Sequence, residues 1–301
     1  MSEQLLFWWE MVREGVLASL AVGIVLPLVG ALMYLRRSAF LGVAVPQFSA
    51  AGLALGLWLM PRFSRVYEAF LEHGHPPMLY LFAFAVGSAA AALWFFGRLA
   101  TRSPHSHADA RLAAGFAVAT ALALLFLDAG PAAAPLAETI LRGEILLLDS
   151  HGLAYLAAVL AVVLAGLIRW RKPFLLLAFD AEAATALGHS VPRLEQLQIL
   201  LVGLAVGGGV MTVGPVLVFG LLFLPPLAAR MVARRMRSFL VHVVAVGSGS
   251  VILAWPVSLA LDAPYGPVPV VLLLAFTMVY ALWGGLARRS PDSSRRRSGT
   301  M

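Results

Sequence analysis

EQLQILLVGLAVGGGVMTVGPVLVFGLLFLPPLAAR, residues 195–230, is the stretch that decides how this chain folds. Nearly every residue in it is apolar. As one straight helix it would be about 54 Å long, whereas the hydrocarbon core of a bilayer is only about 30 Å thick. The glycines at 207–209 and the Gly214-Pro215 pair offer a natural break near its middle. The stretch therefore predicts two consecutive membrane-crossing helices rather than one.

The rest of the chain repeats this pattern of long apolar runs. Of its 301 residues, 61% are hydrophobic and 12% are charged, and the mean hydropathy is +0.88. Soluble domains carry about a quarter charged residues. Runs of about 18 to 25 residues rich in Ala, Leu and Gly, without the alternation of a membrane barrel, are typical of membrane helices. We predict an all-α, polytopic membrane helix bundle with about nine transmembrane helices, at 15–35, 39–60, 78–97, 111–128, 152–169, 195–212, 214–230, 239–261 and 267–287.

The basic residues assign an orientation to this bundle. With nine spans and the N-terminus outside, all but four of the 22 Lys and Arg residues face the cytoplasm, as the positive-inside rule requires. The exceptions are Arg13, Arg62, Arg65 and Arg142. A single crossing at 195–230 would put either the arginines at 230–237 or the earlier basic loops on the wrong side. We therefore expect the N-terminus outside and the C-terminus in the cytoplasm.

The chain divides into three parts. Residues 1–14 lack the basic start and the small-residue cleavage site of a signal peptide, so we interpret them as a retained interfacial segment. Residues 15–287 form the transmembrane domain. Residues 288–301, RRSPDSSRRRSGTM, are basic and Ser-rich, and predict a disordered cytoplasmic tail.

Several function classes are excluded by the same residues. The net charge of +7 is explained by basic residues in the cytoplasmic loops. Nucleic-acid binding is not indicated, because the sequence has no basic face interleaved with aromatic residues. No nucleotide-binding P-loop is present, so the chain is not expected to bind ATP itself. An intramembrane serine protease is excluded because His242 and Ser250 on one helix are separated by about 12 Å of rise. We expect no enzyme activity and no cofactor on this chain.

The most informative polar segment lies between the fifth and sixth spans. Asp180 can cap a short helix, Glu182 suits its first turn, and Gly188 can end it after about two turns. A short helix of small residues between two spans fits a protruding ridge that enters a groove on a partner protein. A plain interfacial loop helix explains the local sequence equally well.

The segment also resembles a known motif. Glu182-Ala183-Ala184 followed by Gly188 is similar to the EAA-type loop through which ABC importer permeases touch their ATPases. The wider stretch, FDAEAATALGHSV through VGPVLVFGLLFLPPLAARMVARR, resembles the zinc/manganese/iron-type ABC transporter permease family, and the likeness covers roughly residues 15–287. The matching positions are Asp180, Ala184, Gly188, Val213, Gly214, Leu217, Leu222, Pro225, Ala228 and Ala229.

The resemblance implies how such a protein works. It implies a permease homodimer in the bacterial cytoplasmic (inner) membrane, a separate cytosolic ATPase that uses ATP and Mg²⁺, and an extracytoplasmic solute-binding protein. Alternating access would move the cargo. The implied ATPase-coupling residues are Asp180, Glu182, Ala183, Ala184 and Gly188, and the gating or hinge positions are Gly207, Gly208, Gly209, Gly214 and Pro215.

The second span departs from the family pattern. Metal-transporting members carry Gly-Asp-x-x-x-His there, whereas this chain has Val43 and Gln47 in place of the Asp and the His. Valine offers no donor atom, and an amide oxygen is a weak, neutral ligand. Gln47, with Ser49, can still contact a polar solute in the pathway, or Gln47 can pair with a neighbouring helix. The transported species therefore stays open.

A weaker candidate for metal binding lies in the loop at 61–77. His73 and His75, together with Glu68 and Glu72, form a cluster that could capture a cation before entry. An exposed, solvated loop explains the same residues.

Two other functions are compatible with a polytopic bundle. An ion-coupled secondary transporter predicts ionisable residues near the middle of several spans, and nearly every span here lacks them. A non-transporting membrane scaffold subunit would explain the changed residues Val43 and Gln47. Loss of ATP-dependent transport on replacing Glu182 and Gly188 would favour the ABC permease over the scaffold.

Overall fold

The computed structural model describes residues 2–36, 41–73, 76–102, 108–130 and 150–289. Within these ranges the chain is helical nearly throughout and contains no strand. A 3-10 turn at Met60–Arg62 follows the second helix. The helices are α1 (Ser2–Leu35), α2 (Leu41–Leu59), α3 (Ser64–His73), α4 (Met78–Arg102), α5 (Ala108–Asp128), α6 (Ser150–Arg169), α7 (Arg171–Phe179), α8 (Ala181–Ala186), α9 (Val191–Val232), α10 (Met236–Leu261) and α11 (Pro267–Arg289).

Eight of the described helices have the length and apolar composition to cross a membrane, and α3, α7 and α8 do not. The predicted class, an all-α polytopic bundle, is confirmed. The part of the chain that the structure describes contains eight such elements, and one of them, α9, contains two of the nine predicted spans. The stretches predicted at 195–212 and 214–230 follow each other without a loop in one 42-residue element, α9. Only a single residue between them leaves the helical conformation.

That residue is Gly214, where the chain turns back on itself. Gly214 has φ 78° and ψ 161°, a conformation far from any helix. A Cβ built on Gly209 would lie only 2.9 Å from Cγ2 of Val218. Nine residues along a straight helix are separated by about 13.5 Å. The two halves of α9, 191–213 and 215–232, therefore lie side by side.

Helix α1 packs against the first half of α9 and shows its direction. The guanidinium of Arg36 donates a hydrogen bond to the side chain of Gln198 over 2.7 Å. Ten residues earlier on α1, Cδ1 of Leu26 lies 3.1 Å from the position of a Cβ on Gly209. Residue numbers fall along α1 as they rise along α9, so the first half runs antiparallel to α1.

The second half of α9 runs the other way. Gly30 of α1 lies directly against the backbone of Leu222. Nearer the end of α1, Ala31 shares a buried apolar cluster with Ala229, and Leu35 packs against that cluster. Residue numbers rise together on the two helices, so this half is parallel to α1. The break near the middle of 195–230 that the sequence predicted is thus a reversal of the chain inside one element.

Each half of α9 packs along a different membrane helix, in addition to α1. A Cβ on Gly207 would lie 2.5 Å from Cγ2 of Val86, which places the first half against α4. A Cβ on Gly284 would lie 2.8 Å from the carbonyl oxygen of Met231, which places the second half against α11. Small residues let these helices approach backbone to backbone, as is common where helices pack in a membrane.

Replacing Gly214 by alanine is expected to destabilise the protein by about 1–3 kcal/mol, because only glycine adopts this backbone conformation without strain. Thermal unfolding in detergent measures the effect. Gly87→Ala is the matched control, since nothing lies within 4 Å of a Cβ at that helical position. Equal melting temperatures for the two variants would contradict the reversal at Gly214.

The connecting segments differ in detail from the expected ones. Helix α1 begins at Ser2, so the segment predicted at 1–14 and the first span form one helix. The loop predicted at 61–77 contains α3. Helix α11 ends at Arg289, and the tail at 290–301 lies outside the described residues.

Candidate functional site

The short helix α8 lies at the end of the bundle where α1 ends and α9 begins. Asp180 precedes it with extended backbone angles, φ −155° and ψ 103°, and its Oδ1 accepts a hydrogen bond from the N–H of Ala183 over 2.9 Å. Glu182 lies in the first turn, where a carboxylate is stabilised by the helix dipole. The predicted capping role of Asp180 is confirmed.

Gly188 ends this helix, as predicted. Its φ of +82° lies in the left-handed region. The N–H of Gly188 donates to the carbonyl of Thr185, and the N–H of His189 donates to that of Ala184, each over 3.0 Å. This is the Schellman pattern, in which a glycine after the helix satisfies the last free carbonyls.

The helix has one buried side and one exposed side. Ala184 is fully buried, whereas Glu182 and Thr185 are exposed. Phe179 and Leu187, the large apolar residues at its two ends, are each 69% exposed. We call residues 179–188 the coupling ridge.

The coupling ridge rests on an apolar cluster that joins three helices. Leu32 of α1 packs there with Phe174 and Leu177 of α7 and with Leu194 and Leu201 of α9, and all five are buried. Helix α7 leads into the coupling ridge and α9 follows it. The cluster therefore holds the two helices that flank the coupling ridge against the end of α1.

A charged contact lies beside this cluster, and the sequence analysis did not find it. Arg36 at the end of α1 donates from Nη1 to Oε1 of Gln198 and from Nη2 to Oε1 of Glu195, each over 2.7 Å. The sequence places these partners 159 and 162 positions away from Arg36. Only the packing of α1 against α9 brings them together, so local patterns give no signal of the pair.

The second span separates the two pathway residues predicted there. Two residues along a helix differ by about 200° in direction, so Gln47 and Ser49 point to nearly opposite sides of α2. Ser49 is fully buried, and its Oγ has no hydrogen-bond partner among the described residues. Gln47 is half-buried. The two side chains therefore cannot face one pathway together.

The side of α2 near Ser49 is a packing surface. Gly52, one turn further on, lies directly against Ser88 of α4. At Gly56, a Cβ would lie 3.1 Å from the ring of Phe84. The hydroxyl of Tyr80 donates to the carbonyl of Gly56 over 2.8 Å.

The predicted hinge glycines at 207–209 are helical and buried. Each faces a neighbouring helix: Gly207 approaches Val86 of α4, and Gly208 lies 3.4 Å from Val159 of α6, both measured from a Cβ position. These three glycines thus allow close packing, and only Gly214 interrupts the helix.

The predicted metal cluster at 68–75 cannot be assembled from the described residues. His75 and the side chain of His73 lie outside them. Elsewhere in the described part of the chain, no group of three or more His, Asp or Glu residues is placed to hold a metal ion.

Several described polar residues inside the spans, unlike Ser49, have structural partners. Nε1 of Trp255 donates to Oγ of Ser19 over 3.0 Å, which ties α10 to α1. His242 contacts the hydroxyl of Tyr280 at 3.1 Å, whereas Ser250 donates to its own helix.

Comparison with known proteins gives the same fold and a family. A model of the ABC 3 transport family matches residues 8–285. The manganese transport system membrane protein MntC of Listeria monocytogenes is 23% identical over 249 residues, which cover 82% of this chain and 81% of that protein. Its namesake from Bacillus subtilis is 25% identical over 292 residues, which cover 94% of this chain and 63% of the relative.

Two solved structures share the architecture. PsaBC from Streptococcus pneumoniae, in complex with a Fab, matches 95% of this chain and 100% of the aligned chain, with a TM-score of 0.75 and 19% identity. A metal-chelate type ABC transporter in an inward-facing conformation matches 92% of this chain and 83% of its own, with a TM-score of 0.62 and 20% identity.

The family match extends from α1 to α11 and includes every membrane-crossing helix that the structure describes. The helical fold and the family match agree with each other. The chain is therefore not an enzyme but a membrane-spanning permease, and it belongs to the ABC 3 transport family.

Proposed function

We propose that this permease is the membrane subunit of a bacterial ABC importer of the metal-uptake type, and that it works as a homodimer in the cytoplasmic membrane. A separate cytosolic ATPase binds and hydrolyses ATP with Mg²⁺. An extracytoplasmic solute-binding protein delivers the cargo. Closure of the ATPase switches the bundle between its inward-open and outward-open forms.

The coupling ridge is the observation that carries this proposal. Its helix is fixed at both ends, by Asp180 and by Gly188, and is held through Ala184 and the apolar cluster below it. Its outer side presents Glu182 and two exposed apolar side chains. A rigid, exposed ridge of this kind fits a groove on the ATPase. A force applied to the ridge is transmitted directly to α7 and α9, because these helices flank it in the chain.

The basic residues support a cytoplasmic location for the coupling ridge. Arg36, Arg169, Arg171 and Arg193 lie at the same end of the bundle, next to the ends of α1, α6 and α9. In this orientation the N-terminus lies outside the cell and the C-terminus in the cytoplasm.

A metal is the cargo class that the relatives favour, since two of them are named as manganese transport proteins. Recognition in this chain must differ from the family pattern, because Val43 and Gln47 replace the Asp and His of the second span. Gln47, which is half-buried, remains the residue of that pair able to contact a polar cargo.

Gly214 is the hinge that we propose for alternating access. It joins the two halves of α9, which pack against α4 and α11 respectively, and Pro215 after it has no N–H and so cannot donate a helical hydrogen bond. The glycines at 207–209 serve the first half as a close-packed surface rather than as joints.

Purification from native membranes tests the proposal. A tagged copy of the chain, extracted in mild detergent, should bring down one ABC ATPase in comparable molar amount, identified by mass spectrometry. Cross-linking before extraction guards against loss of the subunit in detergent. Recovery of the chain without any ATPase under both conditions would contradict the proposal.

A further inference from the structure

Arg36 joins α1 to the first turns of α9. Its two terminal nitrogens reach Glu195 and Gln198, which lie one turn apart on α9. Two parallel bonds from one planar guanidinium fix direction as well as distance. The contact thus ties the end of α1 to the helix that follows the coupling ridge.

The two bonds differ in their surroundings. Glu195 is 44% exposed at its side chain, and an exposed ion pair of this kind contributes little to stability. Gln198 is only 6% exposed, so its amide oxygen needs a partner inside the protein. Of the two bonds, the one to Gln198 therefore contributes more to holding α1 against α9.

The same turn of α9 is also held by apolar contacts. Leu32, one turn before Arg36, belongs to the buried cluster with Phe174 of α7 and Leu194 of α9. The coupling ridge lies between α7 and α9. A displacement of the ridge therefore acts on two helices that are both attached to α1.

Helix α1 continues from there to the other half of α9. Gly30, six residues before Arg36, lies against the backbone of Leu222, beyond the reversal at Gly214. A continuous chain of contacts runs from the ridge to Gln198, through Arg36 into α1, and then to Leu222. This series of contacts joins the two halves of α9 by a route that does not pass through Gly214.

From these contacts we infer that Arg36 is a positioning residue, which makes α1 and the second half of α9 move together with the coupling ridge. The inference rests on the proposed function, since it requires an ATPase that moves the ridge. A tie that served only to stabilise the bundle would have the same geometry, so the experiment must separate movement from stability.

A labelling site at the opposite end of the bundle distinguishes an effect on movement from an effect on stability. Thr212 lies two residues before Gly214 and lines a small cavity with Met78 and Tyr155. The chain contains no cysteine, so Thr212→Cys gives a single site for a water-soluble maleimide. The rate of labelling reports the state of that end of the bundle, whatever the cargo is.

The measurement uses the complete complex with its ATPase in lipid nanodiscs, with and without ATP and vanadate. In the Thr212→Cys background we expect ATP and vanadate to change the labelling rate by at least about fivefold, and Arg36→Ala to reduce that change to less than about twofold. ATP hydrolysis should stay close to that of the parent, and the melting temperature should fall only modestly, because the buried amide of Gln198 loses its partner. Gln198→Ala should act like Arg36→Ala, and Glu195→Ala should have a smaller effect.

Arg13→Ala is the matched control, because it removes an ion pair, with Glu14, from the other end of the same helix. The inference is overturned if Arg36→Ala keeps the full ATP-dependent change. It is also overturned if labelling, hydrolysis and melting temperature all fall together, since that result indicates a purely structural tie. A parent complex that binds no ATPase would overturn the proposed function itself, and the inference with it.

Discussion

A double variant, Glu182→Lys with Gly188→Val, should still insert into the membrane but bind the ATPase more weakly. Gly188 has φ +82°, where a side chain costs about 1–3 kcal/mol although nothing lies within 4 Å of its Cβ. The strain falls on the end of the coupling ridge and leaves the membrane helices intact. Reversing the charge at Glu182 changes the exposed side that faces the partner.

The expected size of this effect is at least a tenfold rise in the Kd for the purified ATPase, or about 1.4 kcal/mol. Binding of the ATPase to the permease in nanodiscs measures it. Glu68→Lys is the matched control, since Glu68 is an exposed acidic residue on α3, at the other end of the bundle. Unchanged binding by the double variant would show that the ridge is a plain loop helix.

A second double variant, Val43→Asp with Gln47→His, should create a Mn²⁺ site that the parent lacks. Positions 43 and 47 lie one turn apart on α2, so the new carboxylate and imidazole share one face of the helix. These are the donor types that suit such a cation, whereas valine and glutamine are not. Electron paramagnetic resonance of free Mn²⁺ during titration measures binding directly.

The same variant offers a check by thermal unfolding. Because Mn²⁺ binds only the folded protein, an excess of about 100-fold over its Kd should stabilise the double variant by about 2.7 kcal/mol. Each single variant should gain much less, since one ligand remains. Tight Mn²⁺ binding by the parent would contradict our interpretation of Val43 and Gln47, and it would mean that cargo ligands lie elsewhere in the bundle.

The features that the sequence predicted correctly are local ones. Asp180 caps α8 and Gly188 ends it because each acts on backbone groups within four residues of itself. The membrane helices follow in the same way from the length of their apolar runs. Such local features can be predicted from the sequence without knowing how the helices pack.

The features that the sequence could not provide depend on packing. The contact of Arg36 with Gln198 joins residues 162 positions apart, and no local pattern around Arg36 indicates this partner. Gln47 and Ser49 were predicted to share a pathway, yet the direction of each side chain on α2 separates them. The spans predicted at 195–212 and 214–230 are the two halves of α9, and what the sequence did not indicate is that the reversal at Gly214 needs no loop.

The central claim, that the coupling ridge meets an ATPase on the cytoplasmic side, is tested most directly by site-specific cross-linking. Thr185→Cys puts a single thiol on the exposed side of α8, and Arg65→Cys puts one on α3 as the control. We expect a short thiol-reactive cross-linker to join position 185, and not position 65, to the ATPase in native membranes. Labelling of Thr185→Cys by an impermeant maleimide added outside intact cells, with no cross-link to an ATPase, would contradict the claim.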